Sequence, residues 1–136
     1  MPRRPRAAEP IWVSRLVLDA VHLDQLREHG GLPGVREENV LEAALARPRQ
    51  RWHYEPQSDL PTLAAAYGWG LVTSHPHRDG NKRIAFLAMA VFLGLNGAEI
   101  EATQEDVVTT MLSAAAGQLT EAELAGWVRD HLVKLA

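Results

Sequence analysis

The stretch HPHRDGNKRIAFLAMAVFLGL, residues 75–95, places a densely polar loop directly before a run of nearly pure hydrocarbon. From Ile84 to Leu95 no residue is polar, so a helix built from this run is apolar on every side. Helices with that pattern are buried among other helices. The stretch therefore predicts a central helix from Asn81 to Leu95, entered through the polar loop and closed by Asn96-Gly97.

Helical patterns also lie on both sides of this central helix in the chain. The other predicted helices are at about Ser14–His29, Glu37–Ala46, Asp59–Ser74, Gln104–Ala116 and Glu121–Leu135. Ser14 and Asp59 are suitable N-caps, and Thr120 with Glu123 forms a capping box. Prolines disfavour helix continuation at the residue before them, so Pro48 and Pro76 are expected to end the second and third helices.

Two segments do not have a helical pattern. Residues 47–61, RPRQRWHYEPQSDLP, mix prolines with aromatic residues, which suits an ordered loop or a short flap strand. Residues 98–102, AEIEA, are expected to be extended. The sequence thus predicts an all-α fold with one small hairpin, a single domain over residues 11–136, and a flexible basic tail over residues 1–10.

Composition excludes several classes of protein. The chain has 136 residues, which suits one domain, and it has no cysteine, which excludes disulfides and cysteine-ligated zinc. A cytoplasmic location is the expectation that follows. The net charge of −3 and the lack of a basic stripe argue against direct nucleic-acid binding. The longest apolar run is far shorter than the roughly 20 residues of a membrane-spanning helix, so no membrane association is expected.

The polar loop has the composition of an anion-binding site. Lys82 and Arg83 fall in the first turn of the central helix, where free backbone N–H groups and the helix dipole already carry partial positive charge. With Gly80 and Asn81 they favour a phosphate ligand. The alternative interpretation is that the cations point to solvent and that Asp79 only caps the helix.

Two further side chains suit chemistry on a bound phosphate. Asp79 supplies the carboxylate oxygen that Mg²⁺ prefers, next to the phosphates that would share the ion. His75 is fixed by Pro76 at the start of the loop and is suited to general base catalysis near neutral pH. The loop is therefore predicted to hold a magnesium-bound polyphosphate against an imidazole.

Residues 75–83 resemble the motif of the Fic/Doc family, His-Pro-Phe-x-Asp/Glu-Gly-Asn-Gly/Lys-Arg. Here the motif reads HPHRDGNKR, with His77 at the position of the phenylalanine. The sequence most resembles the death-on-curing (Doc) toxin branch, which also carries lysine at the position of Lys82. Phe86 matches the same branch, because AMP-transferring members carry a second arginine at that position. The segments GGLPG (30–34), YEP (54–56) and FLGLNG (92–97) look like that branch too.

The resemblance implies a helical bundle around a central buried helix, with ATP and Mg²⁺ as ligands. His75 would be the base that takes a proton from a target hydroxyl, and Asp79 would hold Mg²⁺ on the nucleotide. The residues expected to bind the phosphates are Gly80, Asn81, Lys82 and Arg83. Lysine at position 82 favours a Doc-type kinase that transfers the terminal phosphate, and Fic-type AMP transfer is the alternative.

In the family, target proteins dock along a flap hairpin before the motif, which this sequence places at Tyr54, Glu55 and Pro56. Trp52, Tyr54 and Trp69 are equally suited to the core. The family phenylalanine anchors the loop, so a buried, hydrogen-bonded His77 is needed to keep the loop rigid.

The resemblance also implies two protein partners. One is a protein target, for which it suggests elongation factor Tu. The other is a separate antitoxin with a segment that folds on binding, because no glutamate here follows a Ser or Thr by four residues as in self-inhibited members. A groove of exposed apolar side chains is expected to receive that segment.

Two other functions remain open. His75, His77 and Asp79 match the HxHxD pattern of metal-dependent hydrolases, although few strands are predicted and only His131 follows. A catalytically silent binding module is the second alternative. The remaining histidines are His22, His29, His53 and His131, and they are expected at helix surfaces or ends without a role.

Overall fold

The computed structural model describes residues 8–135, which form six helices and one two-stranded antiparallel sheet. The elements are α1 (Arg15–His29), α2 (Glu38–Tyr54), α3 (Leu60–Ser74), α4 (Asn81–Leu95), β1 (Ala98–Ile100), α5 (Gln104–Ala115), α6 (Glu121–Asp130) and β2 (Leu132–Lys134). The predicted all-α class is confirmed, with one small antiparallel sheet that pairs β1 with β2. Most of the predicted tail, residues 1–7, lies outside the described residues. None of the described helices is both long and apolar enough to cross a bilayer.

Side-chain caps set the starts of four helices. Ser14 and Asp59 each accept a hydrogen bond from the N–H three residues further on, as predicted. Thr103 caps α5 in the same way, and Thr120 with Glu123 forms the predicted capping box of α6. Each cap contributes typically about 1 kcal/mol to stability. Local sequence therefore determines where these helices begin.

α3 lies at the centre of the bundle and packs against α2, α4, α5 and α6. Ten of its fifteen residues are buried, compared with six of fifteen in α4. Its small residues, Ala64, Ala65, Ala66, Gly68 and Gly70, allow neighbouring helices to approach closely on several sides. The sequence assigned the centre to α4, and the structure shows that α3 and α4 share it.

α2 is longer than predicted, because it continues through Pro48 to Tyr54. A proline inside a helix removes one backbone hydrogen bond and costs about 3 kcal/mol. Packing of the next turn offsets this cost: Trp52 is buried and its ring lies edge-on to Trp12, with centroids 6.3 Å apart. The prediction that Pro48 ends the helix was wrong because tertiary burial outweighs the local preference.

The flap predicted at residues 54–56 is not formed in this structure. Tyr54 is the last residue of α2 and is 87% exposed, Glu55 is the helix C-cap, and Pro56 lies in a turn. The small sheet lies elsewhere, because β1 pairs with β2 at the end of the described chain. α6 consequently ends at Asp130, and not at Leu135 as predicted, since the following backbone groups bond to β1.

Gly68 tests the close packing of α3 on α4. A Cβ atom at this position would lie 2.5 Å from the sulfur of Met89, which is fully buried. We expect Gly68→Ala to lower the free energy of unfolding by roughly 1–3 kcal/mol through overpacking. Urea denaturation at neutral pH measures the effect.

Gly94→Ala is the matched control, because Gly94 is also helical and a Cβ there meets nothing within 4 Å. It should leave stability unchanged or raise it by up to about 1 kcal/mol. Equal effects of the two substitutions would contradict the close α3–α4 contact.

Candidate active site

The loop joining α3 to α4 begins at His75, which adopts the left-handed conformation with φ 50° and ψ 55°. It is the one non-glycine residue with positive φ in the described chain. This conformation costs roughly 1–2 kcal/mol, and a hydrogen bond of 3.0 Å from the Arg36 guanidinium to the His75 carbonyl helps to hold it. The side chain of His75 is exposed, so the imidazole is accessible to a substrate.

A segment between α1 and α2, residues 31–37, pairs with this loop along its length. Arg36 N–H donates to the Pro76 carbonyl at 2.8 Å, and Arg78 N–H donates to the Gly34 carbonyl at 3.2 Å. An isolated antiparallel bridge joins positions 35 and 77 between these bonds. The strand-like segment beside the motif is therefore residues 31–37, not residues 54–56 as the sequence suggested.

Asn81 fixes the loop from the side of α4. Its side-chain oxygen accepts from the His77 N–H at 3.0 Å, and its side-chain nitrogen donates to the His77 carbonyl at 3.0 Å. The side chain of Asn81 is thus committed to the loop backbone. Only its backbone N–H remains for the predicted phosphate contact.

The start of α4 has no side-chain cap. Gly80 is the N-cap residue, with φ 76°, and in the described chain no protein acceptor bonds the N–H groups of residues 80–83. Lys82 and Arg83 are exposed in the same turn. Asp79 does not cap the helix, so four backbone donors without a protein acceptor lie in the same turn as two exposed cations.

Asp79 is held by the 31–37 segment. Its Oδ2 atom accepts from the Leu32 N–H at 3.2 Å, and no described donor reaches Oδ1. Gly31 permits this approach, because a Cβ on Gly31 would lie 3.2 Å from Oδ2 and its φ of 123° suits glycine. Asp79 is exposed and is thus available to a cation shared with bound phosphates.

His77 lies beneath the loop and is 1% exposed. Its backbone is bonded to Asn81, but neither ring nitrogen has a hydrogen-bond partner in the described chain. Burial, together with the nearby His22, lowers the pKa of His77 to about 4. Of the two conditions that the sequence analysis set for a rigid loop, the ring meets burial but not hydrogen bonding.

His22 is a site residue that the sequence interpretation missed. It is 6% exposed, its ring centroid lies 4.1 Å from that of His77, and its Nε2 atom lies 3.0 Å from the Asp79 carbonyl oxygen. The one local signal was its spacing of four residues from Leu18, the other buried residue of α1. Exposed Leu16 and Leu23 obscured this face, because they give α1 a second apolar stripe.

A groove of about 610 Å³ lies between α1, α4 and α5 and has Lys82 and Arg83 in its lining. The larger apolar side chains in its lining are Phe86, Leu87, Val107, Val108, Met111 and Leu112. Val108 and Leu112 are each half exposed. The structure thus contains the exposed apolar groove expected from the sequence, next to the cationic start of α4.

The HxHxD interpretation lacks support. His75 is exposed and His77 is buried, so their side chains do not share a face. The described residues contain no group of three or more His, Cys, Asp or Glu side chains placed to hold a metal ion. The helical architecture also lacks the sheets expected for such hydrolases.

Comparisons with known proteins agree with the motif. The model of the Fic/DOC family matches residues 12–93. The chain belongs to the Fic/Doc family. A protein of Escherichia phage P1 named Protein kinase doc is 30% identical over 112 residues, which are 82% of this chain and 88% of the phage protein. Toxin Doc of Mycolicibacterium smegmatis is 38% identical over 74 residues, 54% of this chain and 57% of the relative. The resemblance to the Doc branch is thereby confirmed.

The buried histidine at the Fic/Doc phenylalanine position should make stability sensitive to acid. The unfolded chain protonates His77 near pH 6.5, whereas the folded chain resists protonation down to about pH 4. The free energy of unfolding therefore keeps the contribution of neutral His77 above about pH 6.5 and loses it as the pH falls towards 4. We expect wild type to lose about 2 kcal/mol more than His77→Phe between pH 7 and pH 5.

Urea unfolding at the two pH values measures this difference. His53→Phe, which replaces an exposed histidine, is the control and should keep the wild-type pH dependence. Parallel losses in wild type and His77→Phe would contradict the depressed pKa.

Proposed function

We propose that this protein is a Doc-like toxin that transfers the terminal phosphate of ATP to a hydroxyl group of a target protein. The observation that carries the proposal is the uncapped start of α4, where the N–H groups of residues 80–83 lack protein acceptors beside the accessible side chains of His75 and Asp79. Helix starts with free N–H groups bind phosphate. The names of the two relatives, a protein kinase and a toxin, favour the same activity.

The residues of the loop fit a nucleotide polyphosphate in their donor chemistry. Four backbone N–H groups and the exposed Lys82 and Arg83 would bind phosphate oxygens, and Gly80 has no side chain to obstruct the approach. Asp79 would hold Mg²⁺ through its carboxylate. The ion would neutralise charge that develops on the phosphate oxygens during transfer.

His75 would act as the general base. Its exposed imidazole would take the proton from the target hydroxyl while the hydroxyl oxygen forms a bond to the terminal phosphorus. The bond between that phosphorus and its bridging oxygen would break, so ADP leaves with the bonding electron pair. Catalysis would depend mainly on positioning and charge neutralisation.

Lys82 favours phosphate transfer over AMP transfer. A lysine side chain fills space beside the phosphates that glycine leaves empty, and it adds a point charge that helps to select which phosphate faces His75. Phe86 is uncharged, so it supplies no second cation at this position, and it packs partly buried against the core. AMP transfer to a protein hydroxyl is the second candidate function.

The target would dock beside the loop. The 31–37 segment is a better candidate for this role than Tyr54, Glu55 and Pro56, because its backbone pairs with residues 76–78 and so lies beside the motif. An extended target segment is bound well by such backbone pairing. Elongation factor Tu is the proposed target, so the reaction would take place in the cytoplasm. Phosphorylation of this factor would block translation.

The groove between α1, α4 and α5 would receive the antitoxin. Exposed apolar side chains such as Val108 and Leu112 suit the apolar face of a segment that folds on binding. Lys82 and Arg83 also line the groove, so a segment bound there would reach the phosphate site. Neutralisation would then follow from blocking nucleotide access.

Labelled nucleotides test the activity. The purified protein is incubated with Mg²⁺, purified elongation factor Tu and ATP labelled either at the terminal phosphate or in adenine. Label from the terminal phosphate alone is expected, and His75→Ala should lower the rate at least about 100-fold through loss of the base. His53→Ala is the control and should retain full activity, since His53 is exposed on α2.

Adenine label in the target would support AMP transfer instead. If no label is transferred to elongation factor Tu or to any protein of a whole-cell extract, the protein is a silent binding module. That outcome would contradict the proposed function.

Substitutions in the groove test the antitoxin site. Val108→Asp and Leu112→Asp introduce charge where an apolar face would be buried, so each should weaken binding of the cognate antitoxin by about tenfold or more. Leu16→Asp is the control, because Leu16 is exposed on α1 outside the groove lining. Calorimetric titration of each variant gives the affinities, and equal weakening by all three would contradict the assignment.

A further inference from the structure

We infer that His22 is a positioning residue, which orients the peptide between Asp79 and Gly80 so that the Gly80 N–H faces the phosphate site. The inference rests on the proposed function for the identity of the ligand. His22 reaches the loop from α1, and its Nε2 atom lies 3.0 Å from the Asp79 carbonyl oxygen. A carbonyl oxygen only accepts, so the imidazole must donate from Nε2.

Planarity of the peptide bond gives this contact its consequence. In a trans peptide the C=O and the following N–H point in opposite directions. When the Asp79 carbonyl is held inward by the buried His22, the Gly80 N–H must point outward. That N–H is the first of the free donors at the start of α4.

Within the described chain the peptide between Asp79 and Gly80 makes no hydrogen bond other than the one to His22. Leu32 holds the carboxylate of Asp79, and Asn81 holds the backbone of His77, but the Asp79 carbonyl is bonded by His22 alone. Gly80 has φ 76°, and glycine adopts either sign of φ at little cost. His22 therefore supplies the hydrogen bond that selects one orientation of this peptide.

The ring of His22 is itself well held. It is 6% exposed and packs against the ring of His77 with centroids 4.1 Å apart. A Cβ at Gly80 would lie 3.7 Å from Nε2 of His22, so the imidazole lies directly against the turn that leads into α4. A buried donor in a fixed position orients its acceptor more strongly than an exposed one.

Amide substitutions separate the hydrogen bond from simple space filling. His22→Gln carries an N–H at about the reach of Nε2, whereas His22→Asn carries the same amide one bond shorter and cannot reach the carbonyl. His22→Leu keeps the apolar volume and removes the donor. Titration with a non-hydrolysable ATP analogue and Mg²⁺ measures affinity, and thermal unfolding of each variant reports folding.

We expect His22→Gln to bind the analogue within about threefold of wild type, and His22→Asn and His22→Leu to bind about tenfold or more weakly. In amide NMR of the unliganded protein, Gly80 should give one sharp resonance in wild type and in His22→Gln. In the other two variants exchange should broaden it. If His22 were only structural, its substitutions would lower the unfolding temperature, and glutamine would not selectively restore affinity for the analogue.

The two measurements keep this inference separate from the proposed function. Wild type that does not bind the analogue, with the predicted broadening at Gly80, would refute the proposed function and support the positioning role. An unchanged Gly80 resonance in His22→Asn and His22→Leu would overturn the positioning role, whatever binds. Tenfold loss of affinity in His22→Gln would overturn it as well, even if the other variants fail to fold.

Discussion

Hydrogen bonds from three separate elements hold the backbone of the loop between α3 and α4, and the site depends on them. α1 bonds the loop through His22, the 31–37 segment through its backbone and Arg36, and α4 through the side chain of Asn81. All three act on backbone groups. The backbone groups of His75, His77 and Asp79 that these elements bond are therefore satisfied by the protein, while the exposed side of the loop keeps its accessible side chains.

The loop also concentrates features that disfavour folding. His75 has positive φ, His77 buries two unpaired ring nitrogens, and α4 begins without a cap beside two cations. Each costs on the order of 1 kcal/mol or more. Such unfavourable features persist when the surrounding structure holds them in place. Here the packed helices α3 and α4 give that support. A site that offers free donors to a ligand cannot also satisfy them internally.

Much of the fold was predictable because its signals are local. The N-caps Ser14 and Asp59, the capping box of α6, the apolar run of α4 and the turn before Pro76 each depend on neighbouring residues only. The prediction for α2 was too short, because the helix continues past Pro48 through the burial of Trp52. Trp52 packs against Trp12, which precedes α1 and is distant in sequence. β2 was read as helix, because strand pairing with β1 joins residues far apart in the chain.

The sequence by itself determined the motif, the residue types at its positions and the helix whose start they form, because these are properties of consecutive residues. Only the tertiary structure decided that residues 31–37 lie beside the motif, that the ring of His77 is buried without partners, and that His22 meets the Asp79 carbonyl. These contacts join positions up to 57 residues apart, so no local pattern encodes them. They arise from the packing of whole helices, which fixes the distance between their ends.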